Sequence, residues 1–365
     1  MIVHRRIYRI SLFLAGTFFL SWGFDWLLIK AGGPEALKNT GGITPGMLTP
    51  AFVALILQVF FFRDSKIYYK HYKETPRWIF YSFFILFISL VVINLVALKH
   101  PDFNILFIGL GSVLIAFWTL AVFIIRSQSS IEAFRRAGLN LDNIGKGIPF
   151  IIGIIIFFII SAILNLILGL GDLQTRSATI YGIPVGHSVY IPILIILFFV
   201  VALLGGPLSS LGLYFGEEYG WRGFLYNELF RYNKICAAAL IGFIWGLWHI
   251  PLIMRGMHTY SPDITGIITG LVFFTLWGII QSYSVLKTGS IWVAAFMHGS
   301  INYIYSFSIT YFVHPYDNLY SFGLGVYGVI ILAIIVTSVF YDPVWEKQNN
   351  SINHKDKTSQ GILTL

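Results

Sequence analysis

Residues 191–223 read IPILIILFFVVALLGGPLSSLGLYFGEEYGWRG, and this stretch decides the fold. No charged side chain occurs before Glu217, and the run is long enough to cross the roughly 30 Å hydrocarbon core of a bilayer as a helix. Inside hydrocarbon a single segment satisfies its backbone only by being helical. Gly205-Gly206-Pro207 interrupts the run, because Pro removes an amide donor and clashes with the preceding turn. A break there, followed by a second helical piece from about Leu208 to Phe230, is expected to carry Glu217 within the bilayer, nearer its cytoplasmic side. Comparable apolar stretches lie at roughly 10–29, 45–62, 78–98, 105–125, 148–170, 190–215, 236–255, 264–286, 290–312 and 322–341. The expected fold is all-α: a polytopic membrane helical bundle of about ten transmembrane helices.

Composition agrees. The chain has 365 residues, 57% hydrophobic and 11% charged, against about 25% charged in soluble domains. That excludes a disordered, fibrous or ordinary cytosolic chain. A single cysteine, Cys236, excludes a disulfide framework and a thiolate-rich metal site. The formal charge of +8 reads as topology. With a cytoplasmic N-terminus, 19 of the 24 Lys and Arg face inside. Only Lys30, Lys38, Lys99, Arg176 and Arg255 face outside, which is the positive-inside asymmetry. A multi-pass cell-membrane protein with both termini cytoplasmic and no nucleic-acid partner follows. The basic start before Ile10–Leu20 has the outline of a signal peptide, but no small-x-small site follows and the apolar run continues to Ile29, so an uncleaved first helix is expected. Residues 342–365 are polar and expected to be a disordered cytoplasmic tail.

Ionisable groups within a membrane are costly and mark function by default. Asp25, near Lys30, reads as an interfacial anchor. His4, His71, His100, His187, His258, His314 and His354 fall in loops or tails without metal-ligand spacing. Three segments differ. In Gly216-Glu217-Glu218-Tyr219-Gly220-Trp221-Arg222, Glu218 and Arg222 are i,i+4 and can pair, leaving Glu217 on another face without a local partner. His249 follows Trp245 by four residues inside one apolar stretch, and His298 and Asn302 share a face of another. Taken singly, each has a structural reading: acids at a water interface, or polar groups joining helices. Gly212, Gly216 and Gly220 form one small-residue stripe, and Gly242 and Gly246 a second, which favour close helix approach. Converging in one cavity, the polar groups would supply a base for water and donors for an oxyanion.

The ordered motifs E-E-x-x-x-R, aromatic-x-x-x-H and H-x-x-x-N resemble the CPBP family of intramembrane proteases, which includes CAAX-type prenyl proteases and bacteriocin-processing proteins. Glu217, Glu218 and Arg222 match the first motif, Trp245 and His249 the second, and His298 and Asn302 the third; Trp245 stands where the family most often has Phe. The resemblance covers about residues 190–312 as a protease core. It leaves 1–175, a set of membrane helices, without an assigned role, and 322–341 as a last membrane helix. It implies endopeptidase activity on a membrane-embedded peptide or protein. In the favoured, cofactor-free form, Glu217 and His249 activate water, His298 and Asn302 hold the oxyanion, and Glu218 and Arg222 brace the site. The alternative is zinc held by Glu217, His249 and His298, although Asn is a poor zinc ligand.

Other chemistries lack their parts. Gly169-Leu170-Gly171-Asp172 has the G-x-G-D string of intramembrane aspartyl proteases, but no Tyr-Asp partner precedes it, and Asp172 reads as a helix terminus. Neither G-x-S-G nor H-E-x-x-H occurs. A proton-coupled transporter would use similar buried groups, but here polar motifs appear only in the second half. A non-catalytic immunity or scaffold protein could retain all three motifs.

Overall fold

In the computed structural model the described residues are 2–33, 35–40, 43–70, 77–128, 131–141, 143–173, 179–180, 183–184, 193, 196–230, 233–317, 319–320 and 322–346. Residues 347–365 of the expected tail, Arg176, His187, Arg231 and the start of the stretch at 190 lie outside them. The first helices are α1 (Ile2–Gly32), α2 (Ile43–Ile56), α3 (Arg77–Ala97), α4 (Asn104–Gln128) and α5 (Ile148–Ile167). Next come the bent pair α6 (Phe198–Ser209) and α7 (Leu211–Leu229), then α8 (Lys234–Met254), α9 (Ile264–Thr288), α10 (Ile291–Tyr311) and α11 (Val326–Val339). Two short antiparallel ladders decorate the loops: Gly171–Leu173 pairs with Val313–Pro315, and Thr179–Ile180 with Ile183–Pro184. Asp172, expected at a helix terminus, stands opposite His314 in the first of these ladders.

The protein is a polytopic helical bundle. Among the described residues, seven helices are long and apolar enough to cross a membrane, eight if the bent pair is one span. The expectation of about ten included α10 and α11. Helix α10 has 21 residues but carries His298, Ser300, Asn302, Ser306 and Ser308, which dilute its apolarity. Helix α11 has 14 residues, about 21 Å at 1.5 Å per residue and short of a bilayer core.

The break in the long apolar run lies where the glycines and proline placed it, within a few residues. Helices α6 and α7 meet at a bend of 56°. Ser210, at the bend, shares a 2.7 Å hydrogen bond with Tyr303 of α10. Both pieces contain widened helical turns, at Phe198–Gly205 and Tyr219–Leu225; such turns shift the side-chain register and recur at functional sites. Helix α8 starts on the Asn233 side chain, which accepts from the Cys236 amide at 2.9 Å. Helix α9 starts likewise on Asp263, bonded by the Gly266 amide at 2.8 Å, and stops at Gly289 with φ 69°.

The glycine stripes are where backbones touch. A Cβ on Gly216 would lie 2.8 Å from Leu48 Cα and 2.9 Å from the Met47 carbonyl oxygen of α2. A Cβ on Gly242 of α8 would lie 2.7 Å from the Phe274 carbonyl oxygen of α9. Backbone atoms cannot yield as side chains do, so Gly216→Ala is expected to cost about 1–3 kcal/mol through overpacking. The check is the thermal midpoint of purified protein in detergent, which should fall by several degrees. Gly153→Ala, in α5 where a Cβ meets nothing within 4 Å, should show no fall.

Candidate active site

Helices α7, α8, α9 and α10 bring the three polar motifs to one place. A cavity of about 170 Å³ is lined by Glu217, His249, His298 and Asn302, with Trp245 among its walls. Glu217 comes from the last regular turn of α7 before its widened segment. It is 1% exposed, and Trp245 Nε1 donates to its Oε2 at 2.7 Å. Trp245 thus does more than fill an aromatic position, because its indole N–H orients the carboxylate.

Glu218 points to the other side and collects three donors. Arg222 Nη1 lies 3.2 and 3.1 Å from its two oxygens, Gln281 Nε2 of α9 donates at 3.0 Å, and His298 Nδ1 lies 2.9 Å away. The expected i,i+4 pair of Glu218 and Arg222 is present and wholly buried. The Arg222 guanidinium also sits 4.5 Å over the Trp245 ring, a cation–π contact. One continuous chain therefore links Glu218, Arg222, Trp245 and Glu217.

The two motif histidines are oriented by acceptors. His249 Nδ1 is 2.9 Å from the Trp245 carbonyl oxygen. A carbonyl can only accept, so Nδ1 carries the proton and Nε2 is left with its lone pair in the neutral ring. The ring stacks on Phe274 at 4.3 Å and meets Trp248 edge-on at 4.9 Å. His298 donates from Nδ1 to Glu218 in the same manner, and Tyr214 packs on its face at 4.6 Å. Asn302, one turn on, reaches the Tyr214 hydroxyl at 3.5 Å, a long contact.

Several contributors carry no motif in the sequence. Gln281 and Tyr214 hold Glu218, Asn302 and His298 in place. His258, assigned to a loop without a role, also lines the cavity; the loop after α8 folds back over the site. The first half of the chain takes part as well. Met47 of α2 is a wall residue. Helix α1 clamps α8 beside His249: Trp22 Nε1 donates to the Trp248 carbonyl at 3.1 Å, and Trp248 Nε1 to Ser21 Oγ at 2.7 Å. Asp25, expected at an interface, is buried with Gly46 beside it, because α1 turns that face toward α2.

Zinc held by Glu217, His249 and His298 does not fit this arrangement. Among the described residues no group of three or more His, Cys, Asp or Glu side chains is placed to hold a metal ion.

Residues 189–304 match the family model described as Type II CAAX prenyl endopeptidase Rce1-like. The chain thus carries a domain of that family, and the match spans all three motifs from Glu217 to Asn302. No curated protein and no solved structure matches the chain.

Proposed function

We propose that the type II CAAX prenyl endopeptidase domain at residues 189–304 hydrolyses a peptide bond of a membrane-associated peptide or protein in the cell membrane. The observation that carries this reading is the meeting of Glu217, His249, His298 and Asn302 on one cavity. Water held between the free oxygen of Glu217 and Nε2 of His249 attacks the scissile carbonyl carbon. Its proton passes to Glu217, and the C–N bond breaks as that proton is delivered to the leaving nitrogen. The products are a carboxylate and an amine. The developing oxyanion is held by Asn302 Nδ2 and by the His298 ring, which the contact of Nδ1 with Glu218 orients at 2.9 Å. Glu218 and Arg222 position these groups and touch no reacting atom. Residues of the first helices supply walls and clamps in place of chemistry, and the start of the expected tail is docked on the bundle: Asp342 accepts from Tyr283 and Lys287 at 2.7 Å each, and Trp345 stacks on Tyr283.

The test uses the full-length chain in detergent and a pool of internally quenched peptides carrying a farnesylated cysteine. Cleavage is expected, and its rate is expected to be unchanged after treatment with 1,10-phenanthroline or EDTA. Loss of activity on chelation, restored by added zinc, would overturn the glutamate-driven step. Absence of cleavage of any peptide in the pool would overturn hydrolysis.

A further inference from the structure

The cavity is sealed toward one end of the bundle and accessible at the other. Its deep wall holds Glu217, Trp245 and His298, exposed by only 1%, 2% and 4%. Beyond them the buried side chains of Glu218, Arg222 and Gln281 interlock. Phe224, Leu225 and Tyr226, further along α7, are buried as well. That side leads to the end where α1 and α8 start and where α7 and α9 finish. There Arg9 pairs with Glu228 at 3.3 Å and Lys287 with Asp342 at 2.7 Å, and Lys234 donates to the Val344 carbonyl at 2.8 Å.

The accessible lining residues lie toward the opposite end. Met47 is near the start of α2, Leu252 in the last turn of α8, and Met257 and His258 in the loop that follows; all four are half-buried, and Asn302 of α10 is exposed. The loop sits on the end of α1, where Met257 packs with Leu28 and Leu37. Thr259 of the same loop shares a hydrogen bond with Tyr305, about one turn beyond Asn302. The two ends also differ in charge. The sealed end has Arg5 and Arg9, both paired with Asp64, followed by Arg63, Lys66, Lys234 and Lys287. The accessible end has Lys30, Lys38, Lys99 and Arg255. An excess of Lys and Arg marks the cytoplasmic end of a membrane protein. The wall itself is largely aromatic and aliphatic, with Trp248, Phe273, Phe274 and Leu252, and among the described residues no Lys or Arg lines it. A charged segment would lose water there and gain no partner of opposite sign for an acid.

We propose that the site takes its substrate from the non-cytoplasmic side of the membrane: an apolar, uncharged segment of a membrane-associated peptide enters past Met257 and Leu252, while the network of Glu218, Arg222 and Gln281 closes the cytoplasmic side. This deepens the endopeptidase reading and rests on it for the hydrolysis. The sealed network thus has a second consequence beyond positioning the site, because water and peptide reach Glu217 from one face alone.

The experiment uses the full-length chain in right-side-out spheroplasts and in inside-out vesicles, with a membrane-impermeant maleimide. Cys236, the single cysteine, is exposed near the start of α8 and marks the sealed end. In a Cys236→Ser parent, Leu252→Cys and Met257→Cys report the rim, two positions guarding against one that fails to fold. Arg255→Cys, exposed at the same end and off the cavity wall, is the reference. Cys236 is expected to react only in inside-out vesicles, and the three introduced thiols only in spheroplasts. A reduced-amide peptide of apolar, uncharged sequence, added at about ten times its Kd, is expected to slow labelling at 252 and 257 about tenfold by mass action and to leave 255 unchanged. Quenched peptides of that sequence, capped with sulfonated dyes that prevent crossing, are expected to be cleaved by spheroplasts and not by inside-out vesicles, above the background of Glu217→Gln. Placing Lys or Glu beside the scissile bond is expected to lower kcat/KM about tenfold or more, the cost of an unpaired charge in an apolar wall. Rim thiols that react only in inside-out vesicles, or that the peptide does not protect, overturn the access route. Cleavage confined to inside-out vesicles overturns it and leaves hydrolysis standing. Equal turnover of charged and uncharged peptides overturns the substrate class. Labelling and protection from the spheroplast face with no cleavage of any peptide leaves the route standing, and hydrolysis falls. Neither protection nor cleavage overturns both.

Discussion

Glu217→Gln is expected to lower peptide hydrolysis by about 10²–10⁴-fold, the range of a lost general base, while the protein stays folded. Glutamine has the same shape, and its carbonyl oxygen can still accept the Trp245 indole proton that Glu217 Oε2 accepts at 2.7 Å. Only the capacity to take a proton from water is lost. His249→Ala is expected to lose activity as well, with some stability, because its ring stacks on Phe274. The comparison is made on purified wild type, both variants and Glu218→Gln, with the farnesylated peptide pool and thermal midpoints measured together. Equal turnover in wild type, Glu217→Gln and His249→Ala would sink the catalytic assignment. A greater loss in Glu218→Gln than in Glu217→Gln would transfer the role of base to the neighbouring acid. That result would contradict the geometry, in which three donors already engage Glu218.

The parts of this site that could be read from sequence are those encoded locally. Glu218 and Arg222 are four residues apart, so helical periodicity alone predicts their pairing. Gly205-Gly206-Pro207 marks a break through backbone chemistry that is independent of what packs on it. The motif residues were legible because charge and imidazole are expensive in an apolar run. What escaped depends on contacts across long separations. Nothing near Gln281 signals that its amide meets Glu218, 63 residues earlier, and polar residues at helical spacing are common. His258 was discounted because loops usually carry their histidines into water, whereas this loop packs its ring between His249 and Tyr260. The clamp from Ser21 and Trp22 onto Trp248 spans more than half the chain. The helix count differs for a related reason: the polar side chains of α10 that line the cavity are the ones that dilute its apolarity below that of the other spans.

Glu218→Ala is expected to be the most destabilising single change in the domain, by about 3–5 kcal/mol, the cost of stranding one partner of a buried pair. Both side chains are at 0% exposure. Arg222 Nε and Nη2 already lack hydrogen-bond partners among the described residues, so removing the carboxylate leaves the guanidinium with little but the Trp245 face. His298 and Gln281 lose an acceptor at the same time. Replacing both charges, as Glu218→Leu with Arg222→Met, removes the stranded cation and is expected to recover much of the stability, since apolar pairs of similar volume often replace buried ion pairs at little cost. Activity should not recover with it. His298 would then have no acceptor at Nδ1 to orient its ring, and Trp245 would lose the cation that packs it toward Glu217. Thermal midpoints and cleavage rates measured on the two single variants, the double variant and wild type separate these effects. A Glu218→Ala protein that melts with wild type would show that the pair contributes nothing to the fold. A double variant that regained both stability and turnover would show that the chain from Glu218 through Arg222 and Trp245 to Glu217 has no part in positioning the site. The expected pattern, stability regained without turnover, is the one in which a costly buried charge pair is retained for the geometry it imposes on the neighbouring base and the oxyanion donors.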